Sequence, residues 1–392
     1  MLYIGIDVAS EKHDCCILDG DGTVLVSHLT FANSREGFET LLTAITSHLS
    51  GQDITNAKIG LESTGHYSNN LISFLRESRL NITVFNPLHV NLHRKAHSLR
   101  KTKTDKTDAR FLAVMLFSDE SKSYSPVSYQ ISELKSLVRH RFRLVAMRSK
   151  LKLSVSRLVT ILFPELFSAV YSIHQTSSYA LLLELPTTKS VADCHLTKLT
   201  NLLAQSSKGK YGKDKALELK SLAAQSIGSK SVATGFELQQ TIRIIKQLQE
   251  EISILDIHIK NIMTEMNSPI LTVPGISFTL GAIILAEIGD ITNFDNPAKL
   301  LAFAGLEPST YESGKYTAGH TPMVKRGSAY LRYALLNAAR LVAKCDPAFH
   351  SYMLKKKAEG KHFFVIMSHV GKKLVRVIFY LLKTNTAFLP QL

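Results

Sequence analysis

Apolar positions along the chain change period as the sequence proceeds, and each change marks a different kind of element. Short β-rich runs come first. Leu2 to Val8, Cys15 to Leu18 and Val24 to Leu29 have the length and composition of strands, with Asp19-Gly20-Asp21-Gly22 as the turn between the last two. Ser34 to His48 shifts to helical spacing, with Phe38, Leu41, Leu42 and Ile45 on one face and Ser34 placed to cap it. A strand over Ile59 to Glu62, a helix over Asn69 to Ser78, a strand from Ile82 to Asn86 stopped by Pro87, and a helix over Lys103 to Phe117 follow. This alternation predicts an α/β domain spanning 1–125.

From about Ile131 the pattern becomes long and helical. Leu134, Leu137, Arg141, Leu144, Arg148, Leu151 and Val155 recur at steps of three and four until Phe163-Pro164 closes the run. Leu238, Ile242, Ile245, Leu248, Ile252, Leu255, Ile259 and Ile262 repeat the style near heptad spacing. The two segments predict coiled-coil helices in a linker domain over 126–268, paired either within one chain or between chains. Between them, Ser206 to Asp214 is a polar loop tip, and 167–230 matches no motif beyond further helices. A third, mostly helical domain over 269–392 opens with Val273-Pro274-Gly275-Ile276 before the apolar helix Leu280 to Ile288. That element is helix-hairpin-helix-like and suited to offering backbone N–H groups to a phosphate, although Pro-Gly before a helix is also ordinary turn chemistry.

Charge narrows the class of partner. The 392 residues carry a net charge of +15, concentrated in two bands. Residues 89–160 hold 16 Lys and Arg against 5 acids, and 315–376 hold 13 against 2, which leaves the remainder net negative. Two basic bands predict tracks for a phosphate backbone rather than a uniformly soluble surface. Arg100, Lys101, Lys103 and Lys106 in the first band, and Lys315, Lys325, Arg326 and Arg332 in the second, are the candidate nucleic-acid contacts. Four sparse cysteines, two of them adjacent at Cys15 and Cys16 and none in a Cys-x-x-Cys pair, fit a reducing cytosol. No signal-like start is evident and no apolar run reaches about 18 residues, so a soluble, cytoplasmic protein without membrane association is expected.

Four acids stand out against this background. Asp7 ends the first strand-like run, Glu62 ends Ala57-Lys58-Ile59-Gly60-Leu61, and Asp105 and Asp108 lie in Lys103-Thr104-Asp105-Lys106-Thr107-Asp108-Ala109. Three-residue spacing puts Asp105 and Asp108 on one helix face, where they repel unless a cation or a basic neighbour intervenes. Each acid alone has a plainer explanation: a strand end, a helix entry, or a helix N-terminus that favours negative charge. Together they fit a divalent-metal centre in a ribonuclease-H-like (RuvC-like) fold, where acids from two strands meet acids from a helix. Two Mg²⁺ ions about 4 Å apart, or Mn²⁺ in their place, would suit displacement at phosphorus. His13, His66, His89, His93 and His97 are softer donors and fit core or phosphate-contact positions better.

A second chemical candidate lies in Gly305-Leu306-Glu307-Pro308-Ser309-Thr310-Tyr311-Glu312-Ser313-Gly314-Lys315, a polar loop able to expose the Ser313 hydroxyl. A loop serine is ordinarily turn chemistry. Nearby Lys315, Lys325 and Arg326 are the groups a serine nucleophile would need to offset developing phosphate charge.

Taken in order, Asp7, Glu62, Asn86-Pro87, the Asp105 and Asp108 motif, Val273-Pro274-Gly275-Ile276, Gly305-Leu306-x-Pro308, Ser313-Gly314 and Lys325-Arg326-Gly327 resemble the DEDD transposases of bacterial insertion sequences. The resemblance spans nearly the whole chain. It implies a RuvC-like amino-terminal domain joined by a coiled coil to a carboxy-terminal transposase domain. Asp7, Glu62, Asp105 and Asp108 would then hold metal and Ser313 would be the nucleophile, with Ser309 the alternative. It further implies strand exchange between donor and target double-stranded DNA through a phosphoserine link, guidance by a non-coding bridge RNA, and a homodimer or homotetramer whose subunits build composite centres. A nucleoid-associated bacterial location follows. One departure is Glu312, an acid beside Ser313 where relatives often carry a small residue. A hydrolytic RuvC-like Holliday-junction nuclease, or a non-enzymatic nucleic-acid scaffold, are the competing outcomes.

Overall fold

The structure is a computed structural model that describes residues 1–49, 51–62, 65–85, 87–97, 104–118, 129–309, 312–313, 316–317 and 322–390. It divides into two compact units, Met1–Pro126 and Val127–Leu392.

The first unit contains β1 (Leu2–Val8), β2 (Lys12–Leu18), β3 (Val24–Ala32), α1 (Arg35–His48), β4 (Ala57–Glu62), α2 (Asn69–Glu77), β5 (Asn81–Phe85), α3 (Pro87–His97) and α4 (Asp105–Ser118). Its mixed sheet has the order β3-β2-β1-β4-β5. β2 runs antiparallel to both β1 and β3, whereas β1, β4 and β5 are parallel. The Asp19 carboxylate closes the β2–β3 turn by accepting from the backbone N–H groups of Asp21 and Thr23, at 2.9 and 2.8 Å. Ser34 caps α1 as expected, accepting from Gly37 N. Both strands of this hairpin run longer than the apolar pattern indicates, because the buried end of β2 carries the polar pair His13 and Asp14.

The two faces of the sheet bury different partners. Ile4, Ile6, Ile17, Ile59 and Leu61 share a core with Phe38 and Leu41 of α1 and Leu71 and Leu75 of α2. On the opposite face Cys16 and Leu18 pack with Ala109 and Ala113 of α4, and Phe85 packs with Leu112 and Leu116. Here α4 lies directly on the backbone of β1. A Cβ at Gly5 would fall 2.1 Å from Ala109 O and 2.3 Å from Ala113 N, so no other residue fits that position at this separation.

The second unit opens with α5 (Tyr129–Leu162), followed by α6 (Leu166–Ala169), α7 (Thr176–Glu184), α8 (Thr188–Asp193), α9 (Leu196–Ser207), α10 (Lys213–Ala224) and α11 (Val232–Met266). A 3-10 turn at Pro269–Thr272 and a turn at Gly275 lead into α12 (Phe278–Ile288), then α13 (Pro297–Phe303), the short strands β6 (Glu312–Ser313) and β7 (Tyr316–Thr317), α14 (Ala329–Cys345), α15 (Pro347–Ala358) and α16 (Phe363–Thr384). The two long helices pair antiparallel within the chain, one of the two arrangements that their spacing allows. Arg141 donates twice to the Asp256 carboxylate at 2.7 and 3.1 Å, Arg148 donates to Gln249, and Arg157 meets Glu237 at 2.7 Å. Each end of the pair is embedded in a separate hydrophobic cluster. Val155, Leu158, Val159 and Leu162 with Leu238, Ile242 and Ile245 join the helices of the 166–224 segment. Leu134 and Val138 with Ile259 and Met263 join α12, α14 and α16. Among the described residues no helix is long and apolar enough to cross a membrane.

Gly5→Ala should destabilise the first unit by about 3 kcal/mol, because backbone atoms of α4 cannot yield as a side chain would. Gly20→Ala, where a Cβ finds its nearest neighbour at 3.6 Å, is the control. Chemical denaturation followed by circular dichroism should show a large loss for the first and a change within about 0.5 kcal/mol for the second.

Candidate functional site

The close approach at Gly5 decides where the acids go. Side chains alternate across a strand, so Tyr3, Gly5 and Asp7 share the face that α4 covers, as do Lys58, Gly60 and Glu62 on β4. Tyr3 meets Phe117 edge-on at the far end of α4, and Gly60 sits beneath Leu116. Moving along β1 from Tyr3 to Asp7 therefore means moving back along α4 to its first turn, which carries Asp105 and Asp108. β1 and β4 are in parallel register with Ile6 opposite Leu61, so Asp7 and Glu62 are neighbours one step beyond. All four acids line one end of one sheet face.

The threonines of the same motif start the helix. Thr104 N donates to Thr107 Oγ1 at 3.0 Å and Thr107 N donates to Thr104 Oγ1 at 3.3 Å, a reciprocal cap that draws on neither aspartate. Asp105 is exposed. Asp108 is only 6% exposed and is paired with Arg94 of α3, whose Nη2 lies 3.1 Å from Oδ1, while the guanidinium lies over the Phe111 ring at 5.6 Å. Asp14 is a fifth acid beside the four. It lies opposite Asp7 in the β1–β2 register, is 4% exposed, and accepts from Thr30 Oγ1 at 2.6 Å and bonds His28 Nε2 at 2.7 Å. Sequence reasoning missed both Arg94 and Asp14. Arg94 lies among undistinguished basic residues, and Asp14 becomes a neighbour of Asp7 only through strand pairing.

Oxygen donors make this edge chemically suited to a hard divalent cation, which prefers carboxylates and water. Among the described residues no three His, Cys, Asp or Glu side chains close on a single point that would hold an ion. The acids supply the right donors on one face without forming a closed cage. His13 is buried in an aromatic setting, 5.2 Å from the Phe31 ring, and burial lowers its pKa. It occupies a core position, one of the two readings left open for it.

In the second unit the backbone of Ser313 lies in the β6–β7 hairpin, where Ser313 pairs with Tyr316 and Glu312 with Thr317. The legs leading to it are tied at their base. Ser309 N donates to Pro322 O at 2.8 Å, Val324 N to Glu307 O at 3.0 Å, and Lys325 N to Gly305 O at 3.2 Å. Half-buried Ser309 therefore sits in the ladder at the base, and Ser313 sits further along the hairpin. Gly327 holds a φ of 111°, with room for a Cβ denied by Phe303 O at 2.0 Å, which presses the second leg against the end of α13. Lys325 and Arg326 are exposed, as is Lys106 in the first unit. Arg332 directs Nη1 to the carbonyls of Ala304 and Lys325 at 3.2 and 3.1 Å and thereby braces both legs. Arg100, Lys101, Lys103 and Lys315 lie outside the described residues.

This loop stands on a buried ionic network. Glu287 of α12 is 3% exposed and receives two bonds from Arg139 of α5, at 2.7 and 3.0 Å, and one from Ser328 Oγ at 2.7 Å. Ser328 follows Lys325-Arg326-Gly327 and caps α14 through Leu331 N. The Arg139 guanidinium also lies 4.9 Å from the Tyr330 ring centre. Burial pushes the Glu287 carboxyl up, but the bonds from Arg139 and Ser328 outweigh it and hold the carboxyl below the ordinary range. Burial pulls the neighbouring Lys135 ammonium down, partly opposed by Glu287.

Models of two protein families match the chain, one described as a transposase over residues 4–164 and one as a transposase of the IS116/IS110/IS902 family over residues 267–354. The chain belongs to this family of insertion-sequence transposases. It is 24% identical over 408 residues to the 44.8 kDa protein of insertion element IS116 from Streptomyces clavuligerus, covering 99% of this chain and 96% of that one. The pilin gene-inverting protein of Moraxella bovis is 23% identical over 391 residues, covering 98% and 97%. The 43.6 kDa protein of insertion element IS110 from Streptomyces coelicolor is 32% identical over 123 residues, 31% of this chain and 30% of that one.

Removing Arg139 takes the two guanidinium bonds from a buried carboxylate and leaves Ser328 to satisfy it, so Arg139→Met should cost about 3 kcal/mol in urea unfolding of the second unit. Because the folded Glu287 pKa is depressed, its stabilisation is present above the unfolded value of about 4.3 and is lost as pH falls through the folded value. Glu287→Gln should accordingly flatten the decline of stability measured from about pH 5 downward.

Proposed function

We propose that this transposase exchanges DNA strands through a covalent link to Ser313, assisted by Mg²⁺ or Mn²⁺ held by Asp7, Glu62, Asp105 and Asp108. Support comes above all from the placement of those four acids at one end of one sheet face, since no single structural role accounts for all of them. The sheet order β3-β2-β1-β4-β5, with its parallel β1, β4 and β5, supports a ribonuclease-H-like assignment for this unit. Bound there, a divalent cation would neutralise the carboxylates and polarise a phosphate oxygen. Ser313 Oγ gives up its proton and attacks phosphorus; an Oγ–P bond forms as the bond to one strand oxygen breaks, and that oxygen leaves with a proton. A strand hydroxyl then attacks the phosphoserine, the Oγ–P bond breaks, and the serine is regenerated with no net hydrolysis. Lys325 and Arg326, exposed at the second leg of the hairpin, are suited to offset charge on the phosphate.

A relative named for inverting a pilin gene favours such a conservative exchange, because inversion requires every cut end to be rejoined. Donor and target double-stranded DNA are the substrates in this scheme, with target choice assigned to a bridge RNA. Met147, Leu153, Ile254 and Ile257 are apolar and exposed along the paired long helices, which supports assembly of a homodimer or homotetramer through them. The proposed location is the bacterial cytoplasm, at the nucleoid.

Denaturing electrophoresis after reaction with labelled DNA should reveal a protein–DNA adduct that Ser313→Ala abolishes and Ser309→Ala retains. Survival of the adduct in Ser313→Ala would overturn the serine assignment, and free cleaved ends in that variant would favour the hydrolytic nuclease. Asp7→Asn, or chelation with EDTA, should suppress product by at least about a hundredfold, with Mg²⁺ or Mn²⁺ reversing the chelation only. Replacing Lys325 and Arg326 together by Ala should reduce the magnitude of the log–log salt slope for duplex binding by about 1.8, at about 0.9 for each phosphate no longer neutralised.

A further inference from the structure

The segment in which the sequence showed no motif helps to build a basic cleft, remote in sequence from both the acids and the serine hairpin. It opens between α5, α7 and α11, has a volume of about 380 Å³, and is lined in part by Arg148, Lys152, His174, Tyr179, Lys246 and Glu250. Arg148 and Lys152 stand one turn apart on α5 and so present like charges on the same face, an arrangement that an anion relieves. Lys246 adds a third cation from α11, against one acid, Glu250. Arg148 donates through Nη1 to Gln249, and among the described residues its buried Nε has no partner.

The remaining wall is held in one orientation. His174 Nδ1 lies 3.0 Å from Tyr179 OH and its Nε2 lies 3.3 Å from Ser156 Oγ. Burial lowers the His174 pKa, as does Lys152, and burial raises Tyr179 to about 12, so both rings are neutral near pH 7. Ala180 and Ile245 supply apolar surface beside the cations.

We propose that this cleft binds one nucleotide of a single-stranded nucleic acid, its phosphate on Arg148, Lys152 and Lys246 and its base against the His174, Ala180 and Ile245 wall. Three cations lining one cleft, with a buried N–H that has no partner among the described residues, fit a group with several oxygens, and a phosphate is the nucleic-acid group that offers them. The volume admits a splayed nucleotide, whereas the backbone of a duplex cannot enter a cleft between three helices. The proposal builds on nucleic acid as the partner of this chain, but requires neither the metal nor Ser313.

The test uses the full-length protein in EDTA, so its outcome is independent of adduct formation at Ser313. A single-stranded oligonucleotide of about 12 residues, within the span such sites cover, is prepared as RNA and as DNA with a photoreactive thio-pyrimidine. Cross-linked peptides should contain residues from His174 to Tyr179, and unlabelled single strand should compete where duplex of equal length does not. Lys152→Gln combined with Lys246→Gln should lower single-strand affinity about tenfold and reduce the magnitude of the salt slope by about 0.7, for the one phosphate that the cleft holds. Arg148→Lys, which keeps the charge and removes the Nε donor, should have a smaller effect than Arg148→Gln, with thermal unfolding confirming that each variant is folded. Cross-links confined to other regions, an unchanged slope, or equal competition by duplex would each overturn the proposal. So would inorganic phosphate binding that the double variant abolishes while oligonucleotide affinity stays the same, since the cleft would then serve a free anion.

Discussion

Everything proposed for the amino-terminal unit depends on how closely α4 lies on β1. With hydrogen alone at Gly5, backbone touches backbone, and the helix has one position along the strand at which Ala109 and Ala113 can nest there. That position sets its first turn beside Asp7 and Glu62. A looser helix–sheet contact cushioned by larger side chains would allow the helix to slide and carry Asp105 and Asp108 away from Asp7 and Glu62. The Thr104–Thr107 cap complements this contact by fixing where the helix starts.

The second unit solves a related problem with charge. Its serine hairpin is joined to the body by legs that meet at Gly305 and Lys325, and the cap of α14 just beyond them shares a buried carboxylate with a long helix. Glu287 is too deep to remain ionised without partners, so Arg139 and Ser328 are obligatory rather than incidental. Glu287 thereby joins α5 at Arg139 to the start of α14 at Ser328. The middle of the same helices carries the basic cleft of Arg148, Lys152 and Lys246.

Much of this architecture is legible from periodicity. Except for α3, which no run indicated, the period-two and helical runs locate the strands and helices of the first unit to within a few residues, and the long heptad-like segments identify α5 and α11. The pattern misleads where polar residues are buried. His13 and Asp14 interrupt the apolar run and hide the first part of β2, although Asp14 is satisfied by His28 and Thr30 across the hairpin. Composition locates the two basic bands, but not which cations are spent internally: Arg94 pairs with Asp108 and Arg332 with backbone carbonyls.

The chain by itself determined the element types, the identity of the four acids and the spacing that places Asp105 and Asp108 on one helix face, since these follow from local propensity and side-chain periodicity. Only the tertiary structure decided that the long helices pair antiparallel within the chain, that Asp14 adjoins Asp7, and that Glu287 anchors the serine loop. The physical reason is range. Periodicity reports which way a residue faces, whereas strand register, helix pairing and buried ion pairs are set by contacts between residues such as Arg139 and Glu287, far apart along the chain and brought together only by packing.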